Sequence, residues 1–203
     1  MKKLFLFAVI AMAIGSTASA QKFDPKQIDA KSVRTKGAAA LKNKSANKGA
    51  SGFTAADDCG AFTKTETEKD GTTYQAAKDF LIISVDGTTG FGFNMSNFML
   101  EGDKYVMLIG MALEKGVCVE KSVSKLVITF DDGTQITEQN YQPDNCDGVV
   151  KTYFGKKVGN TADLDMLKTK TVKSIKLIGA EKTVLKSLSE NNQIQLQGTF
   201  KCL

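Results

Sequence analysis

A short acidic turn between two flanking cysteines constrains this chain more than any other stretch. Ser124-Lys125-Leu126-Val127-Ile128-Thr129-Phe130 runs into Asp131-Asp132-Gly133, and Thr134-Gln135-Ile136-Thr137-Glu138-Gln139-Asn140 follows. β-branched and apolar residues on either side of an Asp-Gly turn read as a β-hairpin with glycine in the left-handed position. With Asp132 at the centre of the turn, Phe130 faces Thr134 and Ile128 faces Ile136, a favourable cross-strand pair. The same register sets Glu138 opposite Leu126, which is its weak point. Cys118 and Cys146 lie equally far from Asp132. If the two arms stay close, these thiols meet. The expectation is a Cys118–Cys146 disulfide, which leaves Cys59–Cys202 by elimination among the three connectivities that four cysteines allow.

The cysteines are read this way because the chain opens like an exported protein. Lys2 and Lys3 precede an apolar run from Leu4 to Ile14, and Ala18-Ser19-Ala20 forms a small-x-small cleavage site. Residues 1–20 are expected to be a signal peptide, bacterial in style. Export to the periplasm or beyond favours disulfides over metal thiolates. The apolar run is short for a membrane span, and no second long one follows.

Residues 21–52 are rich in Lys, Ala, Ser, Gly and Asn and have little periodicity. They read as a flexible basic tail that buries too little apolar area to offset its ordering entropy. The chain carries 27 basic and 22 acidic residues, and the basic excess belongs to this tail rather than to the body. No specific nucleic-acid partner is implied, because the lysines are dispersed.

Residues 53–203 are expected to form one β-domain. Short alternating runs recur with Asp-Gly turns between them. They are Ala61–Glu68, Thr72–Ala76, Phe80–Val85, Phe91–Met95, Tyr105–Leu113, the hairpin, Val149–Phe154, Val172–Ile178, Thr183–Leu188 and Gln193–Cys202. Tyr105–Leu113 is apolar on both faces, as in a central strand. In the last run, Ile194, Leu196, Phe200 and Cys202 share one parity and read as a strand face. This pattern predicts an all-β antiparallel sandwich of about eight to ten short strands, with a closed β-barrel as the alternative. One helical turn is expected at Asp163–Leu167, with Asp163 as its cap. No long amphipathic helix is expected in the body.

The chain contains no histidine. That removes His-dependent nucleophilic triads and the commonest zinc ligand. Gly90-Phe91-Gly92 lacks the lysine and following helix of a phosphate loop. No cofactor motif appears. Carboxylate catalysis remains as a reading, with Glu114, Glu120 and Asp147 as candidates that nothing in the sequence brings together. Asp144-Asn145-Cys146-Asp147-Gly148 offers a weak calcium option through Asp144, Asn145 and Asp147, set against an ordinary turn. The chain has no tryptophan and four tyrosines, Tyr74, Tyr105, Tyr141 and Tyr153, which counts against an aromatic sugar platform. Phe80, Phe91, Phe93, Phe98, Met95, Met99, Met107 and Met111 read as core, or as the lining of a cavity if the sheet closes.

The functional expectation is a non-enzymatic binding or surface-interaction module. Its partner, a protein or surface ligand, would meet exposed loops at Asn140, Tyr141, Asp144, Asn145 and Asp147. One alternative is a carrier of a small apolar ligand in a barrel cavity. The other is a carboxylate-based hydrolase.

Overall fold

The computed structural model describes residues 59–83 and 89–203. The expected signal peptide, the basic tail and the Asp86-Gly87 turn lie outside the described residues.

The chain opens with one helical turn, α1 (Cys59–Phe62), and continues as β1 (Thr63–Thr67), β2 (Thr73–Ala77), β3 (Leu81–Ile83), β4 (Phe91–Leu100) and β5 (Asp103–Ala112). The hairpin strands β6 (Lys125–Phe130) and β7 (Gln135–Gln139) come next, then β8 (Val149–Phe154). A 3-10 turn (Lys156–Val158), helix α2 (Thr161–Thr169), β9 (Val172–Ile178), β10 (Thr183–Ser187) and helix α3 (Glu190–Cys202) complete the fold. All pairings are antiparallel, in two sheets. The larger follows the order β1-β2-β4-β5-β8 with β3 also against β4, and the smaller is β10-β9-β6-β7. The sandwich expectation holds. The barrel alternative does not, because the two sheets stay separate.

The long β4 is matched residue for residue by β5, from Phe91↔Ala112 to Leu100↔Asp103. Its other edge is shared by β3 and β2 in turn. The β4–β5 connection is tight, with both Glu101 and Gly102 at positive φ, the backbone that two-residue hairpin loops require. β5 is central, between β4 and β8, as its two apolar faces suggested.

Alternation sets the core. Phe91, Phe93 and Met95 from β4, Val106 and Leu108 from β5, and Val150 and Phe154 from β8 point inward. They join Leu126, Ile128 and Phe130 of β6, Ile136 of β7, and Ile175 and Leu177 of β9 in one continuous cluster. The hairpin register is as expected, with Ile128 opposite Ile136 and Glu138 opposite Leu126. Gly133 takes φ 83° at the turn, and its N–H donates to the Phe130 carbonyl at 3.0 Å.

Both disulfides pair as expected, Cys59–Cys202 and Cys118–Cys146. The first spans 143 positions and the second 28. In the chain-entropy picture the longer loop stabilises by up to about 5 kcal/mol, against about 3–4 for the shorter.

Three expectations fail. Gln193–Cys202 is not a strand but most of α3, a helix of 13 residues, so the body does contain a long helix. Residues 192, 196, 199 and 200 are buried along it, at the three- and four-residue steps of a helix face. Leu196 and Phe200 are spaced by four, which satisfies period 2 and period 3.6 alike. Ser189 caps the helix, its Oγ accepting from the Asn192 N–H at 3.4 Å. Phe200 packs edge-on to Phe154 at 5.8 Å, tying α3 to β8. The second failure is at Cys59–Phe62, which coils into α1 and delays β1 to Thr63. The third concerns α2. It begins at Thr161 with Asn160 in the cap position, not Asp163, and the Asn160 side chain makes no cap bond. That side chain is engaged elsewhere, as described below.

Candidate functional site

The outer face of the larger sheet is unusually aromatic. Alternation turns Ser96 and Phe98 of β4 to this face, together with Tyr105 and Met107 of β5 and Tyr153 of β8. The register sets Phe98 beside Tyr105 and Ser96 beside Met107, with Tyr153 beside Met107 on the other side. Tyr74 arrives from β2, whose Ala76 pairs with Ser96. Tyr141 arrives from the β7–β8 connection, its N–H donating to the Lys151 carbonyl at 2.8 Å. All four tyrosines of the chain therefore line a single groove, with a volume of about 550 Å³. A groove of this size suits a small molecule.

The rings form a connected series. Phe98 stacks on Tyr105 with centroids 5.4 Å apart and meets Tyr153 edge-on at 5.8 Å. Tyr153 tilts against Tyr141 at 5.5 Å. These are the offset and edge geometries that ring quadrupoles favour. The Lys151 ammonium lies 5.9 Å from the Tyr153 centroid. Partial burial lowers the Lys151 pKa and raises that of the Tyr153 hydroxyl, in each case because the charged form loses hydration.

The polar groups of the groove divide into engaged and available. The Tyr74 hydroxyl donates to Glu66 Oε2 at 2.7 Å. Burial first, and then this bond to a carboxylate, push its pKa up to about 12. The Tyr105 hydroxyl accepts from the Lys157 N–H at 3.3 Å. Lys157 forms an ion pair with Glu101 at the rim. Among the described residues, the hydroxyls of Ser96, Tyr141 and Tyr153 make no hydrogen bond. The groove thus offers flat apolar faces, three uncommitted hydroxyls, the Glu68 carboxylate in its lining and a Lys157 whose charge is already paired.

The wall beyond Tyr153 is the 3-10 turn, which contributes Lys157 and Val158. It is seated by tight packing at Gly155, where any Cβ would strike the Tyr105 ring. Behind it lies Glu138, 5 % exposed. Its Oε2 accepts from Asn160 Nδ2 at 2.8 Å and from the Thr152 hydroxyl at 3.4 Å. Asn160 Nδ2 also donates to the Tyr153 carbonyl at 2.8 Å, and Asn160 Oδ1 accepts from the Gly155 N–H at 2.9 Å. This is why Asn160 does not cap α2. Glu138 is, with Ile136, an inward residue of β7, and it reaches Thr152 on the inner face of the opposite sheet. The weak point of the hairpin register is therefore a polar contact between the sheets.

The residues singled out from sequence end up in different places. Asn140 is not exposed but 2 % accessible. Its Nδ2 donates to the carbonyls of Glu120 and Gln142, and its Oδ1 accepts from the N–H groups of Gln142 and Lys151. It is a knot that fixes the loop. Asn145 bridges Pro143 and Val149 through its side chain, so its oxygen is committed to a backbone N–H. Asp144 Oδ1 accepts from the Lys121 N–H at 2.7 Å. Asp147 is exposed. Only Tyr141 of this set reaches the groove. Glu114 accepts from the Gly90 N–H at 3.1 Å, and Glu120 is exposed. Among the described residues, no group of three or more Cys, Asp or Glu side chains is placed to hold a metal ion. The apolar set divides between the two faces of the larger sheet. Phe91, Phe93 and Met95 are core, Phe98 and Met107 line the groove, and Met111 joins Phe80 in a separate small cluster.

Sequence reasoning missed the groove because its tyrosines come from four separate segments. The only local signal was the double apolar face of β5. No described helix is long and apolar enough to cross a membrane. No protein-family model, curated protein or solved structure matches this chain.

Proposed function

We propose that the protein is a non-enzymatic binding module that takes one neutral small molecule into the tyrosine-lined groove. The ligand class is a ring with a flat apolar face and a hydroxyl or carbonyl on its edge. The carrying observation is the convergence of Tyr74, Tyr105, Tyr141 and Tyr153 with Phe98 around about 550 Å³. Aromatic faces favour a flat partner. The free hydroxyls of Ser96, Tyr141 and Tyr153 supply directional contacts, and pairing of Lys157 with Glu101 favours a neutral ligand over an anion. The groove serves a ligand carrier equally well and needs no barrel. Two disulfides are compatible with an exported protein that works outside the cytoplasm.

The chain has no tryptophan, so its intrinsic emission comes from the four groove tyrosines alone. Titration with a panel of neutral phenols, monosaccharides and aryl glycosides should give a saturable change in that emission for at least one class. Phe98→Ala should abolish the change while the fold persists by circular dichroism. A flat response to every class would overturn the reading.

A further inference from the structure

Glu68 is the charged group of the groove that nothing answers. It lines the pocket together with Tyr74 and is half-buried. Lys64, Glu66 and Glu68 share one parity, so β1 and its continuation turn all three to the outer face. Lys64 is engaged by Glu66, its ammonium 2.7 Å from Oε1, and Glu66 Oε2 takes the Tyr74 hydroxyl. Among the described residues, no lysine and no hydrogen-bond donor meets the Glu68 carboxylate. Its backbone, by contrast, is locked. The Glu68 N–H donates to the Thr72 carbonyl at 2.8 Å, and the Glu68 carbonyl accepts from the Gly71 N–H at 3.0 Å. A closed turn therefore holds the carboxylate at the groove with its acceptor positions open.

A guest can supply the missing donor. Hydrogen bonds to a charged acceptor are among the stronger polar contacts, and this acceptor lines the same groove as the aromatic faces of Tyr74 and Phe98. A cation is the competing guest, because an acid among aromatic rings suits one. The far side of the groove argues against it. Lys151 already stands 5.9 Å from the Tyr153 ring centroid, and Lys157 lines the wall in a pair with Glu101. A further cation would face these ammoniums, and an anion would face Glu68. The hydroxyls of Ser96, Tyr141 and Tyr153 meet a neutral hydroxylated guest with groups that both donate and accept.

We propose that Glu68 is the specificity-determining residue of the groove, and that the ligand is a neutral ring with hydroxyls on adjacent carbons, donated to the Glu68 carboxylate while the ring face lies on the aromatic lining. The inference rests on the groove reading and narrows its ligand class from any polar edge to a donor edge. Adjacent hydroxyls match the two oxygens of one carboxylate. Sugar rings and catechol-type aryl rings both carry them, and the chemistry at Glu68 is the same for either.

The test uses the full chain with ring-labelled tyrosine, whose four signals report the groove by nuclear magnetic resonance. The probes are catechol and methyl glucoside, their fully methylated counterparts ortho-dimethoxybenzene and permethylated methyl glucoside, and phenyltrimethylammonium. Catechol or the glucoside should shift the signals saturably, and the tighter of the two assigns the ring as aryl or sugar. The methylated counterparts keep the ring and add apolar surface, so burial alone would favour them. Lacking donors, each should bind at least tenfold more weakly than its parent. Glu68→Ala should weaken the preferred hydroxylated probe about tenfold and leave its methylated counterpart unchanged, with the fold intact by circular dichroism. Glu68→Gln, which keeps an acceptor oxygen, should recover part of that loss. A methylated probe that binds as tightly as its parent, or full-strength binding of the hydroxylated probe by Glu68→Ala, would overturn the role of Glu68 and leave the groove standing. Phenyltrimethylammonium binding that exceeds both hydroxylated probes and disappears in Glu68→Gln would also overturn it, because the acid would then be reading charge. Tyrosine signals that no probe moves would overturn the groove reading, and the role of Glu68 with it.

Discussion

The two faces of the larger sheet are built from the same kinds of residue and serve opposite ends. On the inner face, Phe91, Phe93, Met95 and Phe154 are each at most 1 % exposed and interlock with the second sheet and α3. On the outer face, Phe98, Tyr105, Met107 and Tyr153 pack against one another around a groove. Hydrophobicity is nearly equal across the sheet, but what covers it is not. Burial by a second layer makes a core, whereas burial by neighbours in the same sheet leaves a concave surface with room for a guest.

The comparison is sharpest with one phenylalanine from each face of β4. Phe93→Ala opens a void in a packed interior and should cost about 3–5 kcal/mol. Phe98→Ala removes a half-buried ring whose place solvent can take, and should cost about 1 kcal/mol or less. Denaturant unfolding of both variants measures the difference. Equal losses would mean that the outer face is a core in its own right, not a binding surface.

A second contrast lies within the core, where Glu138 is the acid among apolar neighbours. Its pKa in the fold, about 7, stands above its ordinary 4.5. The folded state therefore binds the proton more tightly than the unfolded chain does. Stability from this group is fully present below about 4.5 and declines as pH rises through about 7, by at most about 3 kcal/mol. Above that window its contribution is flat. Glu138→Gln should erase the decline in the pH profile of the melting temperature.

Part of this arrangement was legible in the chain and part was not. The hairpin was, because Ile128, Ile136 and the Asp-Gly turn agree on one register, and the cysteines fall symmetrically outside it. Local chemistry and global pairing point the same way there. The last segment was not. Leu196 and Phe200 fit two periodicities, and what decided between them was the Ser189 cap and the packing of Phe200 on Phe154, a contact remote in sequence. The groove was legible only as a surplus, the second apolar face of Tyr105–Leu113. Its tyrosines are gathered by strand order, which no single segment encodes. Asn140 misled for a related reason. Asparagine near a turn reads as a turn former, whereas this side chain is a buried connector between segments; Asn160, which drew no reading from the sequence, plays the same part.

Gly110 tests how tightly the inner face is closed. A Cβ there would sit 2.5 Å from the Phe93 ring and 3.2 Å from Val150. Gly110→Ala should cost about 1–3 kcal/mol through overpacking. Its neighbour Ile109 points to the other face of β5, so Ile109→Val should cost less, about 0.5–1.5 kcal/mol. A reversal of that order would mean that the outer face, not the inner, is the less forgiving.

The smallest effect probes the outer face without disturbing it. Tyr74 ionises only near 12, because burial and the Glu66 carboxylate both oppose a phenolate beside it. Spectrophotometric titration should show one tyrosine lagging well behind the usual range near 10. Glu66→Gln removes the charge but leaves the burial, so the lag should shrink and not vanish. Saturating the groove with ligand should delay Tyr153, already raised by burial, while Tyr74, whose hydroxyl is committed to Glu66, moves less. A ligand that shifted Tyr74 alone would place its contacts at the β2 edge and not over the Phe98–Tyr153 rings. The two faces would then differ less than proposed, since the centre of the outer sheet would be acting as packing like the inner one.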